Sequence, residues 1–337
     1  MLTRIIGSML ILALVATAVA PEEPPAFVEI TPDQVRAVDR ALEFLARKQN
    51  RDGSWDSGFQ YTRHPGITAL ACLAFMAAGN LPEEGLYADT VKRGLAFIVK
   101  SIDAEGLISG EGSYNPMYGH GYATLFLAEV YGMAGDRDIK PALGRAVELI
   151  VRGQKSDGGW RYTPDNRGNS DISVTVVQLM ALRAARNGGI AVDAAVIDRA
   201  LAYIRRSVCP DGGFSYTLDQ KQSGFARTAA GVTSLFVGGA YDAPEIAGGL
   251  QYLESFRDRE EFVQYYFYGH YYAAQAMHQA GGVRWQGWFD WIRAALLTGQ
   301  AEDGSWTEQG HGGPVFATAM AAMILEIPYR YLPIFQR

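Results

Sequence analysis

Gln154-Lys155-Ser156-Asp157-Gly158-Gly159-Trp160, followed by Ser170-Asp171-Ile172-Ser173-Val174-Thr175 and an apolar run to Ala185, is the stretch whose reading decides the fold. Asp-Gly-Gly ends one helix in a tight turn, because these residues tolerate a positive φ. Ser170 and Asp171 then supply oxygens that cap free amides at the start of a second helix, whose buried side begins with Val176, Leu179, Met180 and Leu182. The unit is helix, turn with tryptophan, loop, helix.

Working outward, the unit recurs. Gln49 to Trp55 and Gln300 to Trp306 repeat the spacing Gln-x-x-x-Gly-x-Trp, and Asp211-Gly212-Gly213-Phe214 is a copy with phenylalanine in place of tryptophan. A weaker turn at Glu105-Gly106 and a copy without turn glycines after Gly249-Leu250-Gln251-Tyr252-Leu253 bring the total to six, spaced about fifty residues apart. The second helix of each copy is apolar nearly all round, as over 67–78, which predicts burial. The first helix carries charge on one side, as Arg40, Glu43, Arg47 and Lys48 do, which predicts an outer position. An open solenoid would leave the apolar helices facing water on its concave side. Six helix pairs with inner and outer rings therefore predict an all-α protein, an α/α toroid.

Around this body the flanks divide cleanly. Arg4, an apolar run over 5–19 and the small residues Ala16, Ala18 and Ala20 read as a secretory signal peptide over 1–20, placing the protein in a secreted or periplasmic compartment. An uncleaved segment there is the alternative, and would associate the chain with a membrane. Residues 21–31 read as a Pro/Glu-rich spacer, 32–326 as the toroid, and 327–337 as a C-terminal strap that covers one face or seals the ring. The formal net charge is -6 and no basic stripe is present, which argues against nucleic acid as a partner. Cys72 and Cys209 fall at different places in their copies and read as buried or isolated thiols.

Three Gln-x-x-x-Gly-x-Trp segments in register resemble the QW motif of the squalene-hopene cyclases, and the chain resembles the prenyltransferase and squalene cyclase repeat superfamily over its whole mature length. The resemblance implies the toroid and an apolar central cavity for a hydrophobic small molecule, isoprenoid or lipid. It says less about activity, because one fold carries many functions. The cyclases' acidic Asp-x-Asp-Asp-Thr segment falls on Asp171-Ile172-Ser173-Val174-Thr175, so its central acid is Ser173 here. That replacement argues against protonation-initiated cyclisation and leaves open whether the chain is an enzyme. The zinc-binding Asp-x-Cys pair of the prenyltransferases falls on Asp171 and Ser173, so no metal is assigned and no cofactor is identified.

Aligning the second helices on Thr68, Thr124, Thr175, Thr233, Ala274 and Thr318 puts His64, His120, Asp171, Ala229, His270 and Pro314 in one slot four residues earlier. This predicts a ring at the helix mouths, with Asp171, His120 and His270 as candidate catalytic groups and His64 and Ser173 as ligand contacts. Helix N-termini disfavour imidazolium, so these histidines are expected to be neutral. The strings Tyr118-Gly119-His120 and Tyr268-Gly269-His270 lie three copies apart and would face each other across the ring. Tyr118, Tyr122, Tyr268, Tyr271 and Tyr272 are then expected to line the cavity. The alternatives are a metal- or His/Asp-dependent enzyme on an apolar substrate, and a protein-interaction ring in which these residues only cap and fill. His278 and His311 fall outside the slot and are expected at the surface.

Overall fold

The structure, a computed structural model, describes residues 28–56, 62–110, 113, 115–257, 264–307 and 312–336. The expected signal peptide, the spacer up to residue 27, and His311 lie outside these residues. The last part of the spacer is packed: Val28 is buried against the core, and the Glu29 carbonyl accepts from Arg293 at 2.7 Å.

Twelve α-helices follow one another among the described residues. They are α1 (Pro32–Lys48), α2 (Pro65–Ala77), α3 (Ala88–Lys100), α4 (Pro116–Ala134), α5 (Lys140–Arg152), α6 (Ile172–Asn187), α7 (Ala194–Arg206), α8 (Phe225–Val237), α9 (Glu245–Glu254), α10 (Tyr266–Ala280), α11 (Gly282–Gly299) and α12 (Gly313–Glu326). Thr31 caps α1 by accepting the Gln34 amide at 3.3 Å, with Pro32 in the first turn. The even-numbered helices form a closed cycle in which α2 packs on α4, α4 on α6, and so on until α12 packs on α2. The odd-numbered helices lie outside that cycle and against it. Every residue of α2 is buried, whereas α1 buries one stripe that includes Ala37, Val38, Ala41, Leu42 and Leu45. The all-α toroid predicted from the alternation of apolar and amphipathic helices is the fold observed.

The Gln-x-x-x-Gly-x-Trp segments bind neighbouring copies to one another. Trp55, Trp160 and Trp306 are buried, and each indole N–H donates to an outer-helix carbonyl ten residues back: Leu45 at 2.7 Å, Ile150 at 2.7 Å and Leu296 at 3.0 Å. Each glutamine amide donates twice, once to its own turn and once to the next outer helix. Gln49 reaches Gly53 and Thr90, Gln154 reaches Gly158 and Val196, and Gln300 reaches Gly304 and Ala37. Each glutamine carbonyl oxygen accepts from an arginine of that same helix, namely Arg93, Arg199 and Arg40. The turn glycine is required by this contact. At Gly158, φ is +103° and a Cβ would stand 2.2 Å from the Arg199 carbonyl oxygen.

Gln300 bonds to α1 across 263 residues of chain, so the last copy is fastened to the first. Gln300→Ala removes two amide bonds and the acceptor for Arg40, and is expected to cost about 1–3 kcal/mol. A urea unfolding midpoint unchanged from the parent would show that packing alone holds the ring shut.

Candidate functional site

The structure shifts the register of the helix mouths. Turn residues donate their backbone N–H to Thr68 (from Trp55, 3.0 Å), Thr175 (Trp160, 3.0 Å), Thr228 (Phe214, 3.0 Å) and Thr318 (Trp306, 3.1 Å). In the second copy Ile108 donates to His120 Nδ1 at 3.1 Å, so His120 occupies the threonine position rather than the slot before it. The fourth copy is marked by Thr228 and not by Thr233, whose hydroxyl donates to the Tyr272 carbonyl. His64 and Asp171 are the helix caps that share the predicted slot. His64 Nδ1 accepts from Ile67 at 3.3 Å, and Asp171 Oδ1 accepts from Val174 at 2.9 Å.

The ring of three histidines and one aspartate is therefore not assembled. Both nitrogens of His120 are occupied, since Nε2 faces the Ala146 carbonyl of α5 at 3.1 Å. His270 is buried among Tyr266, Phe225, Trp288 and Trp291, with ring centroids 4.3–6.0 Å away, and neither nitrogen has a hydrogen-bond partner among the described residues. His278, expected at the surface, is buried beside Trp285.

The two Tyr-Gly-His strings do sit on opposite sides of the ring, and their three residues point three ways. Glycine permits close approach: a Cβ on Gly66 of α2 would stand 2.6 Å from Gly119 Cα, and one on Gly269 would stand 2.9 Å from the Phe225 ring of α8. Histidine turns toward the outer layer. Tyrosine turns inward, and both tyrosines converge on Ser173: Tyr118 Oη is 2.5 Å from Ser173 Oγ, and Tyr268 donates to the Ser173 carbonyl at 3.1 Å. One turn further along, Tyr122 and Tyr272 join hydroxyls at 2.9 Å, bridging the axis.

Tyr122, Tyr271 and Tyr272 are buried and packed on one another, with the Tyr271 and Tyr272 rings 5.0 Å apart. They fill the centre that they were expected to line. Above them Tyr118, Tyr268, Ser173, Tyr162, Tyr216 and Arg161 are half-buried and form a polar cup over Asp171. Ser173 Oγ donates to Asp171 Oδ1 at 2.7 Å, so Tyr118 must donate to Ser173, and a chain of hydroxyls runs from Tyr118 to the carboxyl.

Asp171 is fully buried, and its Oδ2 has no hydrogen-bond partner among the described residues, with Arg161 at 4.0 Å. Burial raises its pKa, opposed by the Ser173 and Val174 hydrogen bonds and by Arg161. Burial and the Asp171 charge also push the Tyr118 phenol well above its usual range. Tyr162, Tyr216 and Arg161 were missed in the sequence. Their signal was positional, because Tyr162 and Tyr216 stand two residues after Trp160 and Phe214, and their hydroxyls bond to each other. The loop carrying Arg161 and Tyr162 is held by Lys155, whose ammonium donates to the Asp165 and Arg167 carbonyls at 2.9 and 2.6 Å.

The histidines are held neutral, as expected, but by burial rather than by helix ends: His64 and His120 are lowered to about 4 and His270 to about 3. A depressed folded pKa means that the unfolded chain binds more protons, so this stability is present above about 6.5 and is lost as pH falls toward 4. Nitrogen NMR of the imidazoles at about pH 5.5 is expected to find His120 and His270 neutral in the folded protein and mostly charged in the urea-unfolded chain. Protonation of either near pH 6.5 would contradict the buried placement.

Comparison with known proteins gives the fold company. The GH76A alpha-1,6-mannanase of Salegentibacter sp. HEL1_6 superposes with a TM-score of 0.67 at 9% identity, covering 88% of this chain and 99% of that one. The type II terpene cyclase MstE of Scytonema, in complex with geranylgeranyl dihydroxybenzoate, superposes with a TM-score of 0.63 at 14% identity, covering 89% and 98%. Drimenyl diphosphate synthase of Streptantibioticus cattleyicolor is 33% identical over 135 residues, which are 39% of this chain and 24% of that protein. The chain thus spans about a quarter of the length of that curated relative. A family model covers residues 35–234, from α1 into α8, and by that match the chain belongs to the family described as Domain of unknown function (DUF6288).

Proposed function

We propose that this protein binds an apolar ligand of isoprenoid or lipid class by a hydrogen-bonding head group, held in the tyrosine cup at the N-terminal ends of the inner helices. The observation that carries this reading is the cup itself: the half-buried side chains of Tyr118, Tyr162, Tyr216, Tyr268 and Ser173 converge over a buried carboxyl, one oxygen of which has no hydrogen-bond partner among the described residues. Aromatic faces accept an apolar body while their hydroxyls meet a polar end. The partial likeness to a drimenyl diphosphate synthase, and the fold shared with a cyclase bound to geranylgeranyl dihydroxybenzoate, support the ligand class.

In this reading the site does not start a cyclisation. The group that turns toward the axis is the Ser173 hydroxyl, which is no proton donor to an alkene, and Asp171 lies behind it. Export through residues 1–20 belongs to the same proposal. The mannanase likeness raises a carbohydrate ligand as an outcome to be tested. Its inactive variant, bound to alpha-1,6-mannotriose, carries two aspartate-to-asparagine changes, whereas Asp171 is followed by Ile172 and the chain contains no Asp-Asp pair. The filled axis favours one further reading, a ring that presents its rim to another protein.

Geranylgeraniol in detergent is expected to raise the melting temperature saturably, as any ligand of the folded state must. Tyr268→Phe should weaken that binding about fivefold, the worth of one hydrogen bond of about 1 kcal/mol. Mannotriose producing the shift instead would transfer the site to carbohydrate. No shift with geranylgeraniol or phospholipid would reject the lipid reading and leave the protein-interaction ring.

A further inference from the structure

The opposite end of the ring carries a second polar feature that the cup does not use. The chain leaves α12 through two short 3-10 turns, Ile327–Tyr329 and Pro333–Phe335. The first packs on α12 and α10, and the second on α6. Residues 330–336 thus cross the C-terminal ends of the inner helices. Phe335 is buried with its ring 6.2 Å from that of Tyr271, and Tyr271 continues through Tyr272 to Tyr122. The segment is therefore the end stop of the aromatic column.

Its backbone is held by an acid. Glu129, on the last turns of α4, is 2% exposed and accepts a hydrogen bond from the Ile334 N–H, while its Oε2 has no hydrogen-bond partner among the described residues. The titratable group facing it is the Tyr271 phenol of α10, and the crossing segment brings Ile334 and Phe335 against it without charge. Gln279 of α10 adds a bond from its amide to the Gln336 carbonyl at 3.0 Å. A carboxylate enclosed with one amide donor and no cation among the described residues is costly, so the neutral acid is the form that this site accepts.

We propose that residues 330–336 form a protonation-controlled latch: docked while Glu129 is neutral, released when Glu129 ionises, and in release opening the aromatic column from the side opposite the Asp171 cup. Burial raises the Glu129 pKa from the carboxylate range to about 8, which puts the transition near neutrality. The sign follows from proton binding. The docked state holds a proton that the released state gives up, so docking weakens by up to tenfold per pH unit as pH rises from about 4.5 to about 8, and is constant above. Glu326, buried near Tyr329 at the start of the same crossing, is raised by burial as well and acts in the same direction.

Hydrogen exchange of the full chain, read by mass spectrometry at about pH 6 and about pH 9 and corrected for intrinsic rates, tests the latch. Protection of amides in 330–336 is expected to fall at least tenfold at the higher pH, while amides of α2 and α6 keep theirs. Glu129→Gln preserves the acceptor for Ile334 and should lose less protection than the parent at the higher pH, any remaining loss being that of Glu326. Phe335→Ala, which retains Glu129, should move the loss of protection to lower pH. Unchanged protection in the parent, or an equal loss in Glu129→Gln, overturns the proposal. If Glu129→Gln does not fold, an unmoved transition in Phe335→Ala has the same force.

Discussion

Everything in this molecule depends on a glutamine that reaches from one copy to the next. Each of Gln49, Gln154 and Gln300 ties its own turn to a carbonyl of the following outer helix and offers its oxygen to an arginine there. The geometry fixes where the next outer helix lies, and the turn glycine lets that helix approach to backbone contact. Because the third bridge runs from the last copy to the first, the array closes instead of spiralling. Closure is what permits helices as apolar as α2 and α12, since no concave face is left to water.

Within the closed ring, opposite helices can meet. Tyr-Gly-His in α4 and α10 uses successive residues about 100° apart to serve three directions: the axis, the neighbouring inner helix and the outer layer. Tyr118 and Tyr268 arrive at Ser173 from opposite sides, and Tyr122 and Tyr272 tie the two helices across the centre. The centre is thereby divided into a polar cup at one end and a packed aromatic column below it. Known proteins with this fold include a mannanase and a terpene cyclase, so the scaffold itself does not choose the ligand. In the reading proposed for this chain, the choice rests with the hydroxyls and the one carboxyl at the cup.

Much of this was legible beforehand. Spacing of apolar residues and the Asp-Gly turns predicted helix pairs and a ring, because burial and turn chemistry act over a few residues. The placement of Trp55, Trp160 and Trp306 between copies and the involvement of Asp171 and Ser173 in one polar cluster also followed. The alignment of His120 and His270 with His64 did not. It assumed that threonine marks a fixed position, yet an imidazole nitrogen accepts a turn N–H as well as a hydroxyl does, and His120 does so. Nor did it show that the tyrosines fill the centre, which depends on how near opposite helices come.

By itself, then, the sequence determined the helices, their inner or outer place and the closure of the ring, since these follow from local periodicity and short turns. Tertiary structure alone decided which polar groups share a site. Tyr118, Ser173, Tyr216 and Tyr268 come from four copies, and the hydrogen bonds that gather them around Asp171 exist only when the ring has closed. The same holds for Glu129, an ordinary glutamate in the chain, which burial beneath residues 330–336 turns into a group that favours its neutral form.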